Sequence, residues 1–305
     1  MDGFLPKRVL VPVDFTDTST VALATARRFA SGYDAEILAL FADTFVPPIA
    51  YADIPVGWYD DNFGEMKNAA TTRLVGYLRE HIGDGARWEA RVITDTPVHA
   101  ILKTANEWKA DAVVMGTHGW SGWRRALLGS VAESVLHDLD VPVITVRHRT
   151  EEPTEDRGRM NRLLCPVNYS DVAHDALVVA GSLADAFDGE IYVVHVVEAG
   201  RNEPHEGDLE ALREWIPHDI RHRCLYKELV ISGHAAEAVL DLASKLETDM
   251  IVVGAQHRRF VDTTVIGTTT ERILRHARCP VMTVIRKVAA PEVGKRAEKK
   301  FSTAR

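Results

Sequence analysis

The chain repeats itself, and the repeat restricts what it can fold into. Leu163-Leu164-Cys165-Pro166-Val167-Asn168-Tyr169-Ser170-Asp171 echoes Val9-Leu10-Val11-Pro12-Val13-Asp14-Phe15-Thr16-Asp17 at an offset of 154 residues. Later landmarks, Gly116 with Gly254 and Pro142 with Pro280, recur at 138. Two copies of one supersecondary design are therefore expected. The 16 residues by which the offsets differ must be lost between the second strand and the glycine loop, where the first copy carries Pro47, Pro48 and Pro55 among Phe45, Tyr51, Trp58, Tyr59 and Phe63. A length of 305 residues also suits two domains of roughly 150. The expected division is a first domain over 1–146, a polar linker over 147–160 containing Pro153 and Gly158, a second domain over 161–287, and a disordered tail over 288–305 with Lys295, Arg296, Lys299 and Lys300.

Within the first copy, short apolar runs at 9–13, 36–42, 88–93, 112–115 and 141–146 alternate with helical stretches at 21–31, 65–81, 98–108 and from Ser130 onward. Residues 43–66 read as a long loop, which in a compact domain is usually a lid, a binding loop or a contact surface. Continuous apolar strands alternating with helices imply an α/β fold: two doubly wound, mainly parallel, five-stranded sheets with helices on both faces. With 46% hydrophobic residues and no apolar run near the roughly 20 needed to span a bilayer, no membrane segment is expected. The N-terminus has no secretory apolar region, so a cytoplasmic location is the expectation. Cys165, Cys224 and Cys279 are too scattered for a disulfide framework and read as buried free thiols. A net charge of -8 argues against nucleic-acid partners and anionic membranes.

The chemistry concentrates in Gly116-Thr117-His118-Gly119-Trp120-Ser121-Gly122-Trp123-Arg124-Arg125-Ala126-Leu127-Leu128-Gly129-Ser130 and its weaker copy from Gly254 to Thr268. Each follows an apolar strand and precedes a helix. Glycines let backbone N–H groups approach a ligand, and a helix start offers unpaired donors with a favourable dipole, so the stretch suits an anion such as phosphate. With Val11-Pro12-Val13-Asp14 at the first strand and Pro142-Val143 opening the last, the spacing Gly, two residues, Gly, nine residues, Gly-Ser resembles the universal stress protein family. The resemblance covers both copies, from about residue 7 to 287. It implies the fold type also called adenine nucleotide alpha hydrolase-like and a bound adenine nucleotide, ATP with or without Mg2+. Together with the glycine-loop spacing, it makes an intramolecular pseudo-dimer or a homo-oligomer the expected assembly. In the first copy it implies that Gly116, Gly119, Gly129 and Ser130, with Val131, contact phosphates and ribose, that Asp14 lies beside the nucleoside, and that Phe41 sits near adenine. In the second it points to Asn168, Val196, Gly254, Gly267, Thr268 and Thr269.

The residues alone leave plainer readings open. Gly116 and Gly119 also suit an ordinary loop with positive φ. Ser130-Val131-Ala132-Glu133 and Thr268-Thr269-Thr270-Glu271 both read as capping boxes, which would account for the hydroxyls and the two acids. Arg124 and Arg125 suit phosphate pairing or plain solvation, and Trp120 and Trp123 suit base stacking or a subunit contact. The second copy departs from the pattern: His257 stands where the second glycine is expected, and Asn168 replaces the acid, so its site is expected to be altered or empty. His218 and His222 are four apart, but without the HExxH pattern they form no recognisable metal motif. No Walker A lysine, G-x-S-x-G or dinucleotide G-x-G-x-x-G occurs. An ATP-binding stress-response sensor rather than an enzyme is the expected function. The alternatives are a nucleotide-free protein-interaction member and a weak ATPase.

Overall fold

The structure, a computed structural model, describes residues 4–44, 56–83, 85–117, 128–147, 160–198, 205–260, 263–265 and 267–287. The first repeat builds β1 (Arg8–Pro12), α1 (Asp17–Tyr33), β2 (Glu36–Asp43), α2 (Val56–His81), β3 (Trp88–Thr94), α3 (Pro97–Glu107), β4 (Ala112–Gly116), α4 (Ser130–Asp138) and β5 (Val143–Val146). The second builds β6 (Arg162–Val167), α5 (Asp171–Phe187), β7 (Glu190–Glu198), α6 (Glu206–Trp215), α7 (His218–Arg223), β8 (Leu225–Gly233), α8 (Ala235–Lys245), β9 (Met250–Phe260), β10 (Thr263–Val265), α9 (Thr268–His276) and β11 (Val281–Lys287).

Strand order is β3-β2-β1-β4-β5-β11-β9-β6-β7-β8. Pairing along this path is parallel inside each repeat, as the apolar runs require of strands buried on both faces. The fold is thus the expected α/β class, a five-stranded parallel sheet in each repeat. The two sheets join edge to edge where β5 and β11 pair antiparallel, Val281 opposite Thr145 and Thr283 opposite Val143. One face of the joined sheet packs Val9, Val11 and Phe29 in the same apolar layer as Leu163, Cys165 and Leu177. The other face packs Leu10, Val113 and Leu136 with Leu164, Ile251 and Leu274.

In α1 and α5 apolar residues recur at helical spacing and a hydroxyl opens the first turn. In α1, Thr16 accepts a hydrogen bond from the Ser19 amide, Ala22, Leu23, Ala26, Phe29 and Ala30 are buried, and Asp34 closes the helix at φ 49°. Ser170 and Asp188 do the same for α5. One expected boundary fails: α2 begins at Val56, so the second half of the expected 43–66 loop is helical. Gly57, Trp58 and Tyr59 argue against helix by at most about 1 kcal/mol each, which is outweighed by the buried ridge of Leu74 and Leu78 farther along. Residues 45–55, nearly all of the 147–160 linker and the 288–305 tail lie outside the described residues.

The repeats also meet helix to helix. Phe4 packs on Phe29 and Tyr33 at 6.3 and 6.2 Å between ring centroids, and its amide donates to Ser182 Oγ (3.0 Å). Tyr33 meets Phe187 edge-on at 6.1 Å. Asp249 ties the joint together, accepting from the Asn161 and Arg162 amides (2.9 and 3.0 Å) and from Arg28 Nη2 of the first repeat (3.1 Å). Among the described residues no helix is long and apolar enough to cross a membrane.

Cys165 lies in the middle of this core, and burial pushes its thiol from 9.0 up to about 12. Iodoacetamide at pH 8 is therefore expected to leave Cys165 unmodified in the folded protein and to label it on unfolding, as peptide mass spectrometry would show. The unfolded thiol ionises near pH 9 while the folded one keeps its proton. Stability contributed by this thiol therefore falls as pH rises above 9, by up to about 1.4 kcal/mol per pH unit.

Candidate functional site

The first repeat holds a cavity of about 330 Å3 at the C-terminal ends of β1 and β4, between the mouth of β2 and the starts of α3 and α4. This is the crevice where open parallel sheets bind ligands, and its volume falls in the range of small-molecule pockets. Leu40, Phe41, Ile101, Met115 and Val131 give it an apolar wall, and Asp14, Ser19, Thr117 and Ser130 a polar rim.

Two turns shape it. At the end of β1, Asp14 Oδ1 accepts from Thr16 Oγ1 (2.6 Å), from the Thr16 amide (3.2 Å) and from the Ser19 hydroxyl. The Asp14 amide in turn donates to Ser19 Oγ (3.0 Å). The tight turn forces Phe15 to φ 60°, a conformation unusual for so bulky a residue. It sets the Phe15 ring against Phe41 (4.9 Å) and edge-on to Tyr77 (5.2 Å), with the Arg73 guanidinium 4.0 Å above it. Phe41, which lines the cavity, is thus braced from behind by α2. Burial raises the pKa of Tyr77 despite its hydrogen bond with Thr20 (2.7 Å).

The second turn leads into α4. Thr117 donates its amide to Val146 O (2.9 Å), and Gly129 donates to Thr117 O (2.7 Å), which stitches the return of the glycine stretch to the sheet. Gly129, not Ser130, is the N-cap, and as a glycine it offers no side chain to cap the helix. The expected capping box is therefore absent: Ser130 is the first helical residue, and Glu133 lies one position too far along to bond the cap. A short polar residue followed three positions later by Glu fits either register, and helix ends are ambiguous by a residue. The consequence is chemical. The Ser130, Val131 and Ala132 amides are the donors that a helix start leaves without intrahelical partners, and all three residues line the cavity.

Asp14, Phe41, Gly116, Gly129, Ser130 and Val131 come together around this one cavity. Gly119, Trp120, Trp123, Arg124 and Arg125 belong to residues 118–127, outside the described residues. Sequence reading did not single out Ser19, Ala42, Pro97, Ile101, Met115 or Thr117. Their signal was position: each stands at the end of a strand or the start of a helix on the same edge of the sheet.

The second repeat keeps the first turn and the glycine cap but differs at the aromatic wall and in the segment that follows β9. Asn168 keeps the turn, accepting from Ser170 Oγ (2.6 Å) and the Ser170 amide (3.3 Å), and Tyr169 repeats the positive φ at 61°. His195, one residue before the expected Val196, takes the place of Phe41. Its Nδ1–H donates to Val167 O (3.0 Å), and its ring lies 4.4 Å from Tyr169, which meets Trp215 at 5.7 Å. The expected loop from Gly254 to Thr268 is corrected most: β9 runs on to Phe260, and β10 turns back on it, Thr264 opposite Arg259. His257 lies in that strand opposite Lys287, not in a glycine-like turn. Gly254 serves packing, since a Cβ there would stand 2.5 Å from Val172 O at the start of α5. Gly267 caps α9 without a side-chain bond, so Thr268 and Thr269 are its first two residues. The second capping box is absent as well, and Glu271 pairs with Arg275 instead.

Comparison with known proteins agrees with this architecture. The universal stress protein family model matches residues 6–147 and 160–284. A universal stress protein of Methanocaldococcus jannaschii is 28% identical over 149 residues, 48% of this chain and 86% of the relative. One of Mycobacterium bovis is 25% identical over 239 residues, 72% of this chain and 80% of the relative. The crystal structure of a universal stress protein from Archaeoglobus fulgidus superposes with a TM-score of 0.70 at 25% identity, covering 92% of this chain and 98% of that one.

Proposed function

Because the chain belongs to the universal stress protein family, we propose that its first repeat binds an adenine nucleotide, ATP with or without Mg2+, and that the protein works as a ligand-dependent sensor or signalling module rather than a catalyst. One observation carries the reading: the glycine-capped start of α4 opens into a cavity whose opposite wall is apolar and aromatic. Phosphate would take the orphan amides of Ser130, Val131 and Ala132 with the Ser130 hydroxyl, the base would lie toward Phe41, and Asp14 would accept from the nucleoside. Among the described residues no cluster of three or more His, Cys, Asp or Glu could hold a metal, so Mg2+ would arrive with the triphosphate. The second repeat, with its hairpin and His195, takes no nucleotide in this reading.

Calorimetric titration of nucleotide-free protein should give one ATP per chain. Asp14→Asn is the informative variant, because Asn168 already shows that an amide oxygen keeps this turn. It should leave folding unchanged and weaken ATP by about tenfold, the equivalent of one charged hydrogen bond. No binding of ATP or ADP by the wild type would sink the proposal.

A further inference from the structure

On α7, His222 Nε2 stands 3.0 Å from His218 Nε2. The two histidines are one turn apart and exposed, and neither belongs to the nucleotide cavity. Their placement is fixed from the opposite side of the helix: Ile220, midway between them, is buried at 3% exposure and fills the notch left by Gly181 of α5, where a Cβ would stand 2.3 Å from its Cδ1. With Ile220 anchored inward, positions 218 and 222 must face solvent on the same side.

The charges nearby leave the pair accessible to a cation. Arg221 turns away to donate to Ile216 O (3.1 Å), Glu214 O (3.3 Å) and Arg213 O. Arg223 is paired with Asp185 (3.1 Å), and Asp219, also exposed, adds a negative charge beside His218.

We propose that His218 and His222 form a two-imidazole chelate for a late divalent transition-metal ion, with Cu2+ the tightest. With metal–nitrogen bonds of about 2.0–2.1 Å, two Nε2 atoms 3.0 Å apart can both reach one ion without a shift of the helix. The general affinity order for nitrogen sites places Cu2+ above Ni2+ and Zn2+. Among the described residues no third ligand joins them, so water completes the coordination. In the metal-free protein one imidazole donates its Nε2–H to the other. Binding moves that proton to Nδ1 of the same ring through solvent, so both Nε2 lone pairs face the metal with no net proton change.

The test is titration of the tag-free full-length protein with CuSO4, followed by calorimetry and electron paramagnetic resonance, beside His218→Ala and His222→Ala. Circular dichroism checks that both variants remain folded. The wild type should take up one equivalent more than either variant, with a spectrum showing coupling to two nitrogens, and ZnSO4 should bind that site at least about tenfold more weakly. Equal stoichiometry and affinity in the wild type and both variants would overturn the proposal and leave an ordinary histidine–histidine hydrogen bond.

Discussion

Gly129→Asp is expected to make the protein more stable and to abolish ATP binding. Gly129 is the N-cap of α4 at φ -64° and ψ 144°, a conformation open to any L residue, and it has no side chain with which to cap the helix. An aspartate there would accept from the orphan amides and place its charge at the positive end of the helix dipole, a gain of about 0.5–1 kcal/mol. For a chain of this size that is a rise of about 1–4 °C in melting temperature. The same carboxylate would occupy the donors offered to phosphate and repel it, a cost of several kcal/mol and so at least about a hundredfold in affinity. Calorimetry and a melting curve read the two effects separately, and their opposite signs exclude misfolding as the cause. Unchanged ATP affinity in a stabilised variant would show that α4 does not hold the phosphates.

Asp249→Ala is expected to cost about 3 kcal/mol, and Asp111→Ala distinctly less. The two aspartates are counterparts in the repeat. Asp111 accepts from the Lys7 and Arg8 amides (2.8 and 2.9 Å), as Asp249 does from Asn161 and Arg162. Asp249 alone also receives Arg28 from the other repeat, with side chains only 20% (Arg28) and 10% (Asp249) exposed. Removing it takes the carboxylate from a mostly buried guanidinium, and breaking a buried pair is typically costly, though water at the partly exposed edge moderates the penalty. Urea denaturation gives both values, and equal losses would mean that the Arg28 contact contributes nothing to the joint.

The sheets were readable because strands buried on both faces must be apolar throughout, as Ala112-Val113-Val114-Met115 and Ile191-Tyr192-Val193-Val194 are. The convergence of Asp14, Gly116 and Ser130 was readable for a related reason: in a parallel sheet the loops after the strands share one edge. What failed was local. Ser130 and Thr268 fit two capping registers, and only the backbone decides between them. The β9–β10 hairpin hid because His257-Arg258-Arg259-Phe260 has no alternation of apolar and polar residues, and the glycine at 254 suggested a loop when it was needed for the close approach of α5. His195 escaped because a histidine at the aromatic position signals nothing until its neighbour Tyr169 is in place. The pairing of His218 with His222 needed Ile220 seated against Gly181 before their common direction was fixed.

The antiparallel seam between β5 and β11 has a consequence for synthesis on the ribosome. Thr145 and its partner Val281 are 136 residues apart. At about 5–20 residues per second, roughly 7–27 s pass between the appearance of one and the other. During that interval the nascent first half presents the unpaired edge of β5 to its surroundings, an edge that a neighbouring nascent copy could pair with in place of the strand still to come.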